Sequence, residues 1–281
     1  MGQDYSGGRR KRKPPAKHMD PYGDRSEDLI EDEDHGDIGI EGRNAVIEAL
    51  RAGVTLDKVF IAKGETDRTL RHIASAAREA GAVVVDADRR KLDSMSATKA
   101  HQGVIALAAA VDYATLDDIL ERARLRGEQP LIVICDGIED PHNLGAIIRS
   151  CEAAGVHGVI IPKRRSAGLT AAVAKASSGA VFHMAIARAA NLNFAIAELK
   201  KAGIWLFAAS GDGETQLWES DFTGPAAFVI GSEGEGISRL VRENCDFSIK
   251  IPMFGMISSL NASVATAILI YETARQRSKS K

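Results

Sequence analysis

The stretch Ile251-Pro252-Met253-Phe254-Gly255-Met256-Ile257-Ser258-Ser259-Leu260-Asn261-Ala262-Ser263-Val264-Ala265 decides how this chain is read. Its small and polar residues stand where a loop after a strand runs into the last helix. In open α/β sheets that is where ligands are held against the amides of a helix N-terminus. A nucleotide-like cofactor is expected there.

Just upstream, the strand Ala227-Phe228-Val229-Ile230 delivers Gly231-Ser232-Glu233-Gly234-Glu235-Gly236-Ile237-Ser238. Three glycines at this pitch allow unusual backbone angles and close approach to a ligand. The segment loosely matches a dinucleotide fingerprint, but such a site opens its domain at the first βα turn and has an acidic ribose contact about 20 residues on. This loop comes late, and it lacks the lysine of a GxxxxGK[ST] loop, so neither dinucleotide binding nor NTP hydrolysis is expected.

Further upstream, the apolar strand Leu131-Ile132-Val133-Ile134-Cys135 turns at Asp136-Gly137 into Asp140-Pro141-His142-Asn143-Leu144-Gly145-Ala146-Ile147-Ile148-Arg149-Ser150. Aspartate, proline and asparagine ahead of an apolar-periodic run mark a helix start. Asn143 therefore sits at the strand's C-terminal mouth, with Arg149 about two turns into the helix and within reach of a ligand's phosphate. Taken alone, N-x-G-x-x-x-R reads more simply as a helix cap followed by a surface arginine.

Alternation continues through strand Val159-Ile160-Ile161, a helix after Leu169, strand Val181 to Ile186, helix Asn191 to Lys201 and strand Ile204 to Ala208. It predicts a largely parallel sheet. Lys163-Arg164-Arg165 follows a strand and could bind phosphates, although solvated surface charge is the commoner explanation.

A smaller α/β unit precedes this one: helix Glu41 to Leu50, strand Val59 to Ala62, helix Thr69 to Ala80, strand Val83 to Val85, helix Arg89 to Met95 and strand His101 to Leu107. A charged helix, Leu116 to Arg126, ends at Gly127 and Pro130, a plausible boundary. The expected division is a charged tail over 1–37, a small domain over 38–112, a linker over 113–129 and a second domain over 130–281. The tail joins a basic run, Arg9 to Lys13, to acidic residues including Glu31 to Asp34 and has few apolar side chains. Disorder is expected, with the basic run either touching RNA phosphates or merely solubilising the chain.

With 281 residues, 45% of them hydrophobic, the chain can bury a sizeable core. No run approaches the roughly 18 apolar residues of a membrane span, and the start lacks a secretory signal's apolar stretch, so a cytoplasmic protein with no membrane partner is expected. Cys135, Cys151 and Cys245 form no CxxC pair and are expected to be reduced, packed thiols; no metal site is expected.

Read together, the blocks Asn143 to Arg149, Gly231 to Gly236 and Ile251 to Ala265 resemble, in order and spacing, the three motifs of the SpoU (TrmH-like) family of RNA ribose 2'-O-methyltransferases. The first unit, with its His101-Gln102-Gly103-Val104 ending, resembles that family's substrate-binding domain. The segments Asp136 to Gly145, Ala154 to His157 and Ile160 to Lys163 look most like members that methylate a guanosine of 23S ribosomal RNA. The resemblance implies a parallel α/β sheet of SPOUT type with a C-terminal trefoil knot. Its loops, near Ala208 to Gly211, Gly231 to Gly236 and Ile251 to Leu260, would clasp S-adenosylmethionine, with Gly231, Ile251 and Leu260 at the family's contact positions. It also implies a homodimer in which two subunits complete each active site. Arg149 is implied as the catalytic residue, with Asn143, Glu233, Ser259 and Asn261 shaping the site. A guanidinium is always protonated in proteins, so Arg149 is easier to picture fixing a phosphate and stabilising an alkoxide than acting as a base. Ala262 stands where valine is more usual, a packing change. Transfer to tRNA, or RNA binding without catalysis, stays open as an alternative.

Overall fold

The computed structural model describes Met1 and residues 38–64, 67–108 and 112–279; the charged tail expected over 1–37 otherwise lies outside the described residues. The first sheet is built from β1 (Ile38–Glu41), α1 (Arg43–Arg51), β2 (Leu56–Ala62), α2 (Arg68–Glu79), β3 (Val83–Ala87), α3 (Arg89–Met95) and β4 (Val104–Ala108). Its strand order is β1-β4-β2-β3, with β2 and β3 parallel and β4 antiparallel to both its neighbours. Helix α2 shows why these segments fold. Asp67 caps it by accepting from the Thr69 and Leu70 amides, and Leu70, Ile73 and Ala77 form one apolar stripe buried on the sheet.

Strand β1 was not expected. Glu41, read as the start of a helix, instead ends that strand, and the helix begins after Gly42, whose φ of 95° suits glycine and few other residues. Four residues carry too little periodicity to announce a strand; pairing with β4 makes them one. The side chain of Glu41, only 1% exposed, accepts hydrogen bonds from the Ser96 hydroxyl at 2.7 Å, the Ala97 amide at 2.5 Å and the amide and hydroxyl of Thr98.

Helix α4 (Leu116–Arg126) opens with a capping box between Thr115 and Asp118 and ends at left-handed Gly127. The segment expected as a linker is thus packed structure. Ile119 is wholly buried, and a Cβ on Gly158 would come within 2.5 Å of its side chain. The charges fill the outer face of this helix while Ile119 and Ala123 face inward.

The second sheet comprises β5 (Leu131–Asp136), α5 (Pro141–Ala153), β6 (Gly158–Pro162), α6 (Ala171–Ala176), β7 (Ala185–Ala189), α7 (Leu192–Lys201), β8 (Trp205–Ala209), β9 (Thr215–Gln216), β10 (Ala226–Gly231), α8 (Arg239–Glu243), β11 (Phe247–Lys250) and α9 (Ala262–Lys279). Strand order is β7-β6-β5-β10-β8-β11-β9, and every described pairing is parallel. The central strands are buried on both faces. Val133 and Cys135 look toward α5 and α9, whereas Ile132 and Ile134 look toward α4 and α7. The strand expected over Val181 to Ile186 lies later, at Ala185–Ala189. Residues Ala180–Phe182 form a 3-10 turn that closes the end of α6, and a short apolar run does not separate these outcomes.

The small sheet seats on α6. Lys175 donates to the Thr98 hydroxyl at 2.7 Å and the Ala100 carbonyl at 2.8 Å, and a Cβ on Gly179 would lie 2.3 Å from that of Glu48. Helix α6 in turn packs on α5, where Gly145 leaves no room for a side chain: its Cβ would fall 2.4 Å from that of Ala176.

Candidate active site

Parallel pairing places the C-terminal ends of β5, β10 and β8 along one edge, with Gly231 beside Asp136 and Ile230 beside Ala209. The loops that leave this edge build the site. After β10 the chain turns back at once: the Gly236 amide donates to the Ser232 carbonyl at 3.0 Å, and a Cβ on Gly231 would stand 2.1 Å from the Gly236 carbonyl carbon. That loop closes only over a glycine. The loop after β8 is pinned to β11 by the Ser210 amide, which donates to the Ile249 carbonyl at 2.9 Å. A Cβ on Gly213 would lie 2.4 Å from the Ile249 carbonyl carbon.

Between these loops and the segment 251–260 runs a cleft of about 210 Å3 with apolar walls from Ile230, Ile251 and Leu260 and polar groups from Ser210, Ser258 and Ser259. Gly211, Gly231, Ile251, Leu260, Ser259 and Glu233 all line it. Ala208 does not. It is buried in β8 between Val229 and Ser248, on the same face as Leu206, so the next residues, Ala209 and Ser210, line the cleft in its place. Ser210 and Ser258 fall inside the implied loops 208–211 and 251–260, though neither was named there as a contact, and Ile237 follows directly on the implied loop 231–236.

At the cleft's mouth three distant segments meet in one polar cluster. The Asn143 amide nitrogen donates to Glu233 Oε1 at 2.9 Å, and the Asn261 amide nitrogen donates to the same oxygen at 2.5 Å and to Asn143 Oδ1 at 2.8 Å. Both protons of the Asn261 amide are therefore committed. Its Oδ1 accepts from the Ser263 amide at 3.0 Å, the Ser263 hydroxyl at 2.6 Å and the Val264 amide at 3.3 Å, which caps α9. Asn143 is fixed from behind, since Asp140 caps α5 through the His142 and Asn143 amides. The result is a carboxylate held by two amides beside the cleft, with its second oxygen, Oε2, unpaired among the described residues.

Arg149 stands apart from this cluster. Six residues beyond Asn143, it projects about 9 Å farther along α5 and two-thirds of a turn round it. It is exposed, lines neither this cleft nor the neighbouring cavity, and makes no hydrogen bond or ion pair among the described residues. His157 lies away from the site altogether. It is 1% exposed, its Nδ1 accepts from the Leu131 amide at the opposite end of β5, and burial pushes its pKa down. Burial pushes the thiols of Cys135 and Cys245 up to about 12 and that of Cys151 well above the ordinary range, so none is a nucleophile near neutral pH. Among the described residues no group of three His, Cys, Asp or Glu side chains could hold a metal ion, and no helix is long and apolar enough to cross a membrane.

Residues 130–271 match the SpoU rRNA methylase family, and residues 40–114 match the RNA 2'-O ribose methyltransferase substrate-binding family. A Bacillus subtilis protein named for the TrmH family of tRNA/rRNA methyltransferases (YacO) is 46% identical over 236 residues, 84% of this chain and 94% of that one. A Staphylococcus haemolyticus protein of the same family name is 46% identical over 241 residues, 86% of this chain and 96% of its own. Among solved structures, the SpoU methyltransferase AviRb from Streptomyces viridochromogenes, in complex with the cofactor AdoMet, superposes with a TM-score of 0.74 at 27% identity, covering 86% of this chain and 91% of that one. A crystal structure of an RNA 2'-O ribose methyltransferase gives a TM-score of 0.70 at 28% identity, covering 85% and 88%. With both of its modules matched and Asn143, Glu233 and Asn261 gathered at one sheet edge, the chain belongs to the SpoU family of RNA methyltransferases.

Proposed function

We propose that this enzyme methylates the ribose 2'-hydroxyl of a guanosine in 23S ribosomal RNA, with S-adenosylmethionine as donor. One observation carries the reading: Asn143, Glu233 and Asn261, up to 118 residues apart, are hydrogen-bonded to one another at the mouth of the cleft that Gly231, Ile251 and Leu260 line. The cleft suits the donor. Gly211, Gly231 and Gly236 line it without side chains and leave backbone groups to face a ligand, and its aliphatic walls suit a flat heterocycle. When bound, S-adenosylmethionine supplies a methyl group on a positively charged sulfur, open to in-line attack by oxygen.

The remaining tasks are orientation and proton removal. Glu233, steered by two amides, orients the ribose with its free Oε2, and Ser259 borders the same opening. Arg149 holds the target phosphate and stabilises negative charge as it grows on the 2'-oxygen, and the hydroxyl proton passes to solvent at the exposed mouth of the cleft. Because Arg149 stands outside its own chain's cleft, we infer that it serves a second copy, as a homodimer with shared active sites requires. The almost fully exposed Phe254 and Met256, with Ile257 beside them, give that copy an apolar seat. Threading of the C-terminal segment into a trefoil knot is supported by β11 lying between β8 and β9, with the connecting loop over 210–214 pressed against Ile249. The units over 38–112 and 130–281 divide RNA binding and chemistry, and action on ribosomal RNA puts the enzyme in the cytoplasm.

The test is incubation of the full chain with labelled S-adenosylmethionine and, separately, ribosomal and transfer RNA. Label as a 2'-O-methylguanosine in 23S RNA is expected; label in transfer RNA alone would move the substrate, and label in neither would leave an RNA-binding module.

A further inference from the structure

A second cavity, of about 600 Å3, adjoins the cofactor cleft and shares Ser232, Glu233 and Gly236 with it. Methyl transfer to a ribose beside Glu233 needs room for the attached base, and this space opens on the same carboxylate. The lining is polar and mostly acidic, with Arg165 its one cation among the described residues. Asp140 is committed to capping α5, Asp136 accepts from the Ser238 amide at 2.7 Å, and Glu233 is held by its two asparagines. Glu139, Glu235 and Arg165 are different. All three are exposed, and none of their side chains makes a hydrogen bond or ion pair among the described residues. Of the two carboxylates Glu139 is the one beside Arg165, because the Ala167 amide donates to the Ile138 carbonyl at 3.0 Å and so ties those two loops together.

We propose that this cavity takes the base of the target nucleotide and that Glu139 and Arg165 select guanine. The inference rests on the methyltransferase reading of the adjoining cleft. A carboxylate offers two acceptors and no donor, and a guanidinium offers donors only. Guanine alone among the four bases has two adjacent donors, N1–H and N2–H, on one edge and two adjacent acceptors, O6 and N7, on another. Arginine reads the second edge with two parallel hydrogen bonds, and a carboxylate suits the first. Adenine places an amino group where Arg165 needs an acceptor. Uracil and cytosine each offer a carboxylate a single donor group.

The first test maps the methylated nucleotide in a 23S transcript by nuclease digestion and mass spectrometry. An oligoribonucleotide containing that position is then made with guanosine or with inosine, which lacks the N2 amino group. Wild type is expected to favour guanosine by roughly ten- to hundredfold in kcat/KM, the discrimination typical of a bidentate base contact. Glu139→Gln should lose most of that preference while keeping its cofactor affinity, and Glu243→Gln, on α8 and outside the lining of both cavities, should retain it. Arg165→Ala should lower the rate on both substrates, and Arg165→Lys should restore it only in part, since an ammonium lacks the fork. An independent arm titrates the cofactor-loaded chain with guanosine, inosine, adenosine and uridine 5'-monophosphates by NMR. Guanosine monophosphate should shift the Gly137–Asp140 amides most, and Glu139→Gln should abolish that preference. Methylation of another base, equal rates on guanosine and inosine, or equal shifts with all four nucleotides would overturn the base assignment even where methyl transfer stands. Failure of cofactor binding and transfer together would instead remove the reading beneath it.

Discussion

Two glutamates divide the molecule between them. Glu41 and Glu233 each gather hydrogen bonds from side chains far away in sequence, but Glu41 is 1% exposed and surrounded by donors from one short segment, Ser96 to Thr98, whereas Glu233 stands exposed at a cleft mouth with an oxygen to spare. The first carboxylate is saturated by its own chain and can only hold structure. The second is fixed in place yet incomplete, and an incomplete, oriented acceptor is what a ligand site offers. Burial, not residue type, separates the two roles.

Exchanging the two losses should break or sharpen that contrast most. Glu233→Ala is expected to lower methyl transfer by roughly 10²- to 10³-fold, the usual cost of deleting an oriented polar group at a reacting centre. Its unfolding free energy from urea titration should stay within about 0.5 kcal/mol of wild type, as for other exposed positions. Glu41→Ala should do the reverse, costing roughly 3 kcal/mol of stability because several donors are left buried without an acceptor. Where it remains folded, its kcat should be near normal. Denaturation curves and single-turnover rates on both variants decide the matter; a Glu41 variant that is stable but inactive would erase the division. Gly231→Ala comes next. The 2.1 Å approach to the Gly236 backbone forces the loop open, and overpacking of about 1–3 kcal/mol should weaken cofactor binding by roughly tenfold or more in calorimetry.

Much of the site was legible because its chemistry sits in short polar segments directly after apolar strands. Asn143, Glu233 and Asn261 could be picked out before any contact was known, and the structure ties all three together. What could not be read had its cause outside the local sequence. Strand β1 exists through β4, and β9, two residues long, exists through β11. Ala208 missed the cleft by one position, since alternation along a strand sends consecutive side chains to opposite faces and a motif match does not fix that phase. Arg149 follows its motif in spacing, but helix geometry carries it away from its own cleft. Glu139 and Arg165 carry no joint motif; only the pairing of their loops puts them on one cavity.

Acidity offers a finer probe of the buried member of the pair. Burial pushes the Glu41 carboxyl upward, but the hydrogen bonds of Thr98 and Ser96 and the amides of Ala97 and Thr98 outweigh it and hold the pKa below the ordinary glutamate range. A carboxylate with a folded-state pKa below its unfolded one contributes stability that is complete above the unfolded value and is lost as pH falls through the folded value. The stability gap between wild type and Glu41→Gln should therefore be constant from pH 7 down to the ordinary glutamate range and shrink below it. Urea titrations at stepped pH would show this, and a gap that widened with acid would contradict the hydrogen-bond count.

The smallest effect lies where the two regions touch. Lys175 bonds the Thr98 hydroxyl that also serves Glu41, so one side chain on α6 links the saturated carboxylate to the helix layer behind Asn143. Lys175→Met keeps much of the aliphatic stem and removes two partly exposed hydrogen bonds, which should cost about 1 kcal/mol. Cofactor affinity should not change, because no residue of the cleft moves. The small sheet, however, loses its one lysine tether to α6 among the described bonds, and any RNA held by that sheet would meet the cleft less squarely. The expected signature is a KM for RNA raised a fewfold with kcat little altered. A kcat that fell while KM held would mean that this contact tunes the catalytic cluster itself and that the two glutamates are not separate devices.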